Sequence, residues 1–204
     1  MGIIKAKRAI ILFLIIGVMA VVSGCARWPN GPEPEPGTDY QLEIMVEVAG
    51  EINSYDGIYY IVLDADGNPT TGPEGDILSW EDEDSYYYIK LEDDSFSFAK
   101  PGEDFEYYTG EILDGDDDGN KESFQVTIAL SDLEVPSDID FSIDINVVTT
   151  DTESSTIYDH LDGYFTIYTI LDSTEEGVVS EDGSEEGEPE FEIVKVTAVI
   201  TILY

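Results

Sequence analysis

Ile139-Asp140-Phe141-Ser142-Ile143-Asp144-Ile145-Asn146-Val147 alternates apolar and polar side chains without a break. A period of two belongs to the β-strand, whose successive side chains leave opposite faces of the pleat, and no helical stripe can be drawn through it. The expected result is a strand with Ile139, Phe141, Ile143, Ile145 and Val147 in a core and Asp140, Ser142, Asp144 and Asn146 in water. The same period recurs at Leu42, Ile44, Val46 and Val48, which alternate with Glu43 and Glu47, and at Phe124, Val126, Ile128 and Leu130. Further β-rich runs lie at Ile58 to Leu63, Tyr86 to Leu91, Phe105 to Leu113, Tyr164 to Leu171 and Phe191 to Tyr204, separated by Gly, Asp, Asn and Pro clusters. Only Ser131-Asp132-Leu133 reads as a short helical turn. About eight or nine strands without crossover helices predict an all-β fold, an antiparallel β-sandwich, with a β-barrel as the alternative.

Two features qualify the C-terminal end. Asp172 to Glu190 is a Ser/Glu/Gly tract with little apolar content, longer than connections within a domain usually are, and is expected to be a flexible acidic excursion. Phe191 to Tyr204 then places Val194, Val196, Ala198, Ile200, Ile202 and Tyr204 on one face, with Thr197, Val199, Thr201 and Leu203 on the other. Exposed as an edge, such a strand would template aggregation, so it is expected to pair inside a sheet.

The chain has 204 residues, with 8 Lys+Arg against 46 Asp+Glu and a formal net charge of -38. Nucleic acid and anionic headgroups are excluded as direct partners, because binding either requires basic side chains to displace counterions. At 42% hydrophobic and 11% aromatic residues the chain is too apolar to be a disordered acidic polymer. One Cys and one His exclude a disulfide framework, a cysteine-based zinc site and an iron–sulfur cluster, and leave little for a catalytic relay.

The first residues carry Lys5, Lys7 and Arg8, followed by an uncharged run from Ala9 to Val22 that is shorter than the ~20 residues of a membrane-spanning helix. The run ends in Val22-Ser23-Gly24-Cys25. Small residues before a lone Cys at the end of an export signal resemble the lipobox of bacterial lipoproteins, in which the thiol is lipidated and the peptide is cut just before it. The resemblance implies residues 1–24 as a cleaved signal peptide and Cys25 as the lipidated N-terminus that enters the bilayer. Ala26, rather than Asp, follows that cysteine, which in the usual sorting of such lipoproteins does not retain a protein in the inner membrane. Residues 25–38, with Pro29, Pro32, Pro34 and Pro36, read as a stiff polar stalk carrying a domain over 39–204 outside the cytoplasm.

Asp114-Gly115-Asp116-Asp117-Asp118-Gly119-Asn120-Lys121-Glu122 is the strongest chemical signal. Alternate carboxylates followed by a glycine aim hard oxygens at one point, which suits calcium, with Asp114, Asp116, Asp118, Asn120 and Glu122 as ligands. The spacing resembles the first half of an EF-hand loop, but Gln125 stands where a bidentate Glu is needed, and strands rather than helices flank it. The choice is therefore between a β-hairpin calcium loop and a solvated acidic turn. Asp64-Ala65-Asp66-Gly67-Asn68-Pro69 has its glycine too early for that geometry and reads chiefly as a turn, with Asp64 and Asp66 as metal ligands the lesser alternative.

Tyr59 to Gly72 and Val126 to Leu133, with Ile139-Asp140-Phe141 and Tyr158-Asp159, are similar to segments of the carbohydrate-binding module family 9-like and DOMON-like β-sandwich domains. The resemblance implies a sandwich that holds a sugar or another small ligand, and transfers no binding residue. A haem held by Met45 and His160, as some DOMON-like domains use, has no diagnostic context in this sequence.

A sugar's apolar face packs on aromatic rings while its hydroxyls bond to flanking carboxylates and amides. Trp80, beside Glu81-Asp82-Glu83-Asp84, and then Tyr86 and Tyr88 are the candidate contacts, against the plainer reading of core residues. His160 is a lone candidate base with no nucleophile motif, so the chain is read as no enzyme. The expectation is a membrane-anchored extracytoplasmic lipoprotein with a non-catalytic, carbohydrate-binding-like sandwich, calcium as its only cofactor, and a glycan or an envelope protein as partner. The alternative is a structural or protein-interaction component of the cell envelope without a small-molecule ligand.

Overall fold

In a computed structural model the chain is described over residues 39–73, 85–113, 120–136, 140–154, 156–169, 175–180 and 188–203. The signal peptide, the stalk, Cys25, Trp80, Asp114, Asp116 and Asp118 lie outside these residues. Among the described residues there is no α-helix. The strands are β1 (Asp39–Val48), β2 (Gly57–Asp64), β3 (Tyr87–Glu92), β4 (Ser95–Ala99), β5 (Glu106–Tyr108), β6 (Gly110–Leu113), β7 (Ser123–Ala129), β8 (Phe141–Asp151), β9 (Ile157–His160), β10 (Phe165–Thr169), β11 (Glu175–Ser180) and β12 (Ile193–Leu203).

They form two antiparallel sheets. One has five strands in the order β11-β12-β1-β7-β6, and the other has seven in the order β10-β8-β2-β3-β4-β5, with β9 also paired to β8. Neither closes into a barrel, so the architecture is the expected β-sandwich. The inner faces meet in one core: Leu42, Ile44, Val46, Phe124, Val126, Ile128, Val196, Ala198 and Ile200 from the first sheet, and Tyr59, Ile61, Leu63, Ile89, Leu91, Ile143, Ile145 and Val147 from the second. Each large side chain among them stabilises the fold by roughly 1.5–3 kcal/mol through apolar area removed from water.

The structure departs from the periodicity in four places. Phe105 to Leu113, expected as one run, is split into β5 in one sheet and β6 in the other. Thr109 and Gly110 carry the crossing, and Gly110 has no room for a side chain, since a Cβ there would stand 2.7 Å from the Phe96 ring. Inside the tract expected as an acidic excursion, Glu175–Ser180 pair with β12, Val179 opposite Val196. In β12 itself the inward residue before Val196 is Ile193 rather than Val194, because a bulge between Glu47 and Val48 shifts the register from Glu47↔Lys195 to Val48↔Ile193. Otherwise β12 lies as expected inside its sheet, between β11 and β1.

The fourth departure concerns the opening stretch. Ser142, Asp144 and Asn146, expected in water, are all buried, as are Val148 and Thr150 on the same side of β8. The strand β2 is buried on both faces along its whole length. The seven-stranded sheet therefore carries a second, smaller apolar cluster on its outer face, formed by Ile58, Tyr60, Val62 and Val148 with Tyr86, Tyr88 and Ile157 packed against it.

Candidate functional site

The outer face of the seven-stranded sheet concentrates the side chains with ligand-binding chemistry. The antiparallel register aligns them in rows. His160, Val148, Tyr60, Lys90, Ser97 and Tyr107 form one row across β9, β8, β2, β3, β4 and β5. The next row runs Asn146, Val62, Tyr88, and the next Thr166, Asp144, Asp64. Cross-strand partners share a face, so these rows fix which side chains are neighbours without reference to loop conformation.

One side of this face is aromatic. Tyr86 and Tyr88 are half-buried against the Val62–Val148 floor. The Tyr88 ring lies 6.4 Å from that of Phe105, and the Lys90 ammonium sits 4.8 Å above the Phe105 ring while pairing with Glu92 at 2.8 Å. Tyr107, at the end of its row, is 83% exposed. Tyr60 is held by a 2.9 Å hydrogen bond between its hydroxyl and that of Ser154. Alternation explains why the neighbouring Tyr87 is not part of this surface: it points inward, stacks on Phe98 and donates to the Leu133 carbonyl.

The other side is polar and almost dry. Asp64 is 7% exposed, Asp144 2%, Asn146 0% and Ser142 4%. Asp144 accepts a short hydrogen bond from the Thr166 hydroxyl. Its carboxyl is held above the ordinary carboxylate range, first by burial and further by the charge of Asp66, against the opposing effect of the Thr166 bond. The Asn146 amide nitrogen donates to the Pro73 carbonyl at 2.7 Å, so the segment following β2 lies at this end of the face. Asn146 Oδ1 and Ser142 Oγ have no hydrogen-bond partner. Asp64 Oδ1 accepts from the Asp66 N–H, and Asp66 in turn from that of Asn68, so the Asp64 to Asn68 stretch is the expected turn, with Gly67 at a φ of 78°.

Of the residues singled out in the sequence, Tyr86 and Tyr88 come together on this face, and Trp80 lies outside the described residues. Asn120 is exposed, and Glu122, partly exposed, uses its carbonyl to accept from the Val48 N–H at 2.9 Å; both stand before β7 in the other sheet. Asp114, Asp116 and Asp118 lie outside the described residues. Among the described residues, no three His, Cys, Asp or Glu side chains form a group able to hold a metal. His160 is placed on the outer face, with Nδ1 2.8 Å from the Leu161 carbonyl, to which it donates. Met45 lies on β1 of the five-stranded sheet, so the two haem-ligand candidates belong to different sheets.

Asp144, Asn146 and Ser142 escape a reading by periodicity, because a polar position in an alternating strand is assigned to water by default. One signal was present: Val147 and Val148 are adjacent, so an apolar residue falls on the supposed wet face of the same strand. No family model, no curated protein and no solved structure matches the chain.

Proposed function

We propose that this chain is a membrane-anchored extracytoplasmic lipoprotein, lipidated at Cys25, whose β-sandwich is a non-catalytic module of carbohydrate-binding type. The observation that supports the reading is the pairing, on one sheet face, of half-buried tyrosine rings with hydrogen-bonding side chains. Tyr86 and Tyr88 offer apolar ring surface to a sugar, Phe105 and Tyr107 extend it, and Lys90 and Glu92 stand beside it to bond hydroxyls. Trp80, close in sequence to Tyr86, belongs to the same proposed platform, and the Asp114 to Glu122 loop is the proposed calcium-stiffened element.

The test is glycan-array binding by the full chain in detergent, compared with Tyr88→Ala, in calcium and in EDTA. Specific binding that falls at least tenfold in Tyr88→Ala, with a melting temperature close to that of the parent, supports the reading. Binding lost in EDTA places calcium in the ligand site or its support, and binding indifferent to EDTA keeps the sugar without the metal. Absence of binding in both buffers overturns the reading in favour of a structural or protein-interaction component of the envelope.

A further inference from the structure

The outer faces of β3, β4 and β5 differ in the size of their side chains. The register sets Lys90, Ser97 and Tyr107 in one row, Glu92 opposite Ser95 on one side of it and Tyr88 opposite Ala99 on the other. The residues between them, Ile89, Leu91, Phe96 and Phe98, belong to the core. Outward, β4 therefore carries only Ser95, Ser97 and Ala99, between the long side chains of β3 and the rings of Phe105 and Tyr107. Neighbouring strands lie about 4.8 Å apart, so the small residues floor a trough whose walls stand about 9.6 Å apart at the backbone.

One side chain crosses this trough. Lys90 starts from the β3 wall, yet its ammonium sits 4.8 Å above the Phe105 ring, beyond β4, while pairing with Glu92 at 2.8 Å. Its path runs over β4 beside Ser97, its row neighbour, whose Oγ is buried and has no hydrogen-bond partner. The two contacts that hold the ammonium are of the weak kind: the ion pair is partly solvated, and the Phe105 ring is 42% exposed. A buried hydroxyl without a partner costs more than such surface contacts return. Lys90 is thus a strap that a ligand hydroxyl displaces with a net gain, because the ligand brings Ser97 the partner it lacks. The Tyr107 ring, 83% exposed on the far wall, offers its face to the same ligand.

We infer that the β4 trough is the subsite that sets specificity on this face, that it takes an uncharged pyranose, and that Lys90 is the strap displaced on binding. The inference rests on the carbohydrate-binding reading of the face. The sugar stacks its apolar side on Tyr107, one hydroxyl bonds Ser97 Oγ, and others bond the Lys90 ammonium and the Glu92 carboxylate on the facing wall. The preference for an uncharged sugar follows from electrostatics. Lys90 and Glu92 cancel each other, so the trough holds no surplus cation for a carboxylated or sulfated sugar, which a net charge of -38 also repels. The carboxylate that an amino sugar needs is already engaged by Lys90.

The experiment uses the full chain in detergent with calcium present, titrated calorimetrically with β-linked oligosaccharides of glucose, mannose and xylose as neutral probes and with oligogalacturonate as the carboxylated one. Neutral probes are expected to bind and oligogalacturonate to bind at least tenfold more weakly. Ser97→Ala is expected to lower affinity roughly threefold to tenfold with an unchanged or higher melting temperature, since the deleted hydroxyl has no partner in the free chain. Tyr107→Ala is expected to lower it about tenfold through lost stacking. In proton NMR the Lys90 ε-methylene signals, shifted upfield over the Phe105 ring, are expected to return towards the ordinary lysine position at saturation. Affinity unchanged in Ser97→Ala or in Tyr107→Ala, oligogalacturonate bound as tightly as the neutral probes, or Lys90 signals unmoved at saturation each overturns the inference and leaves the carbohydrate reading standing. Absence of binding to every probe overturns both.

Discussion

The hydroxyl of Tyr59 donates to the carbonyl of Glu190 at 2.8 Å, joining positions 131 residues apart. The same oxygen accepts from the Asn53 N–H at 2.9 Å, and the ring lies 5.7 Å from both Phe124 and Phe191. Tyr59 is fully buried, and burial holds its phenol far above the ordinary value, so it stays neutral. One side chain thus ties the β1–β2 connection to the chain entering β12. Tyr59→Phe keeps the ring and leaves two partly buried backbone groups without their partner, at an expected cost of about 1–3 kcal/mol. Tyr59→Ala adds a cavity and is expected to cost about 3–5 kcal/mol. Urea denaturation of the two variants checks this ordering: equal losses would mean that the ring adds nothing beyond the hydroxyl, and an unchanged Tyr59→Phe that the hydroxyl contributes nothing.

Gly57 starts β2 where no side chain fits. A Cβ there would lie 2.3 Å from the Phe191 ring and 2.7 Å from the Thr150 carbonyl. Gly57→Ala is expected to destabilise by about 1–3 kcal/mol through overpacking. Because one obstacle is a ring and the other is backbone, Phe191→Leu should relieve only part of the loss. A double-mutant cycle in urea reads this directly: full additivity would show that the Phe191 contact is not the obstacle.

With a formal charge of -38, self-repulsion opposes the compact state. Sodium chloride shortens the screening length from about 10 Å at 0.1 M to about 3 Å at 1 M. The melting temperature in EDTA is therefore expected to rise between low and molar salt, and a flat melt would show that repulsion is not what limits stability.

Asp144 gives a pH dependence of defined sign. Its folded pKa lies above the ordinary 3.8, with burial the leading cause. The folded chain binds that proton more readily than the unfolded one, so the stability it contributes is complete below 3.8 and is lost as pH rises through the folded value. At neutral pH the ionised carboxylate is a net cost. Asn at this position still accepts from Thr166 and carries no charge. Asp144→Asn is therefore expected to be at least as stable as the parent at pH 7, with its advantage shrinking towards pH 4. A variant less stable at pH 7, with an unchanged slope, would show that burial of the charge is not the dominant effect.

Alternation was enough to define the strands that carry one wet face. In β1 and β7 every inward residue named from the sequence is buried, because a strand at an ordinary core–solvent boundary encodes its environment in its own period. The all-β class follows from the same local rule. It fails for β2 and β8, where neighbouring structure covers the outer face, and a polar residue then reads identically whether water or protein lies beyond it. The partition of Phe105 to Leu113 between two sheets, the bulge that turns Ile193 inward, and the recruitment of the acidic Glu175–Ser180 by β12 are likewise consequences of what each segment meets in space.

The candidate surface divides along the same line. Tyr86 and Tyr88 were visible as aromatics at alternate positions, since ring chemistry and a period of two are both local properties. The juxtaposition of Asp64 with Asp144, 80 positions later in the chain, depends on strand order and register, which long-range pairing sets and no short window of sequence contains.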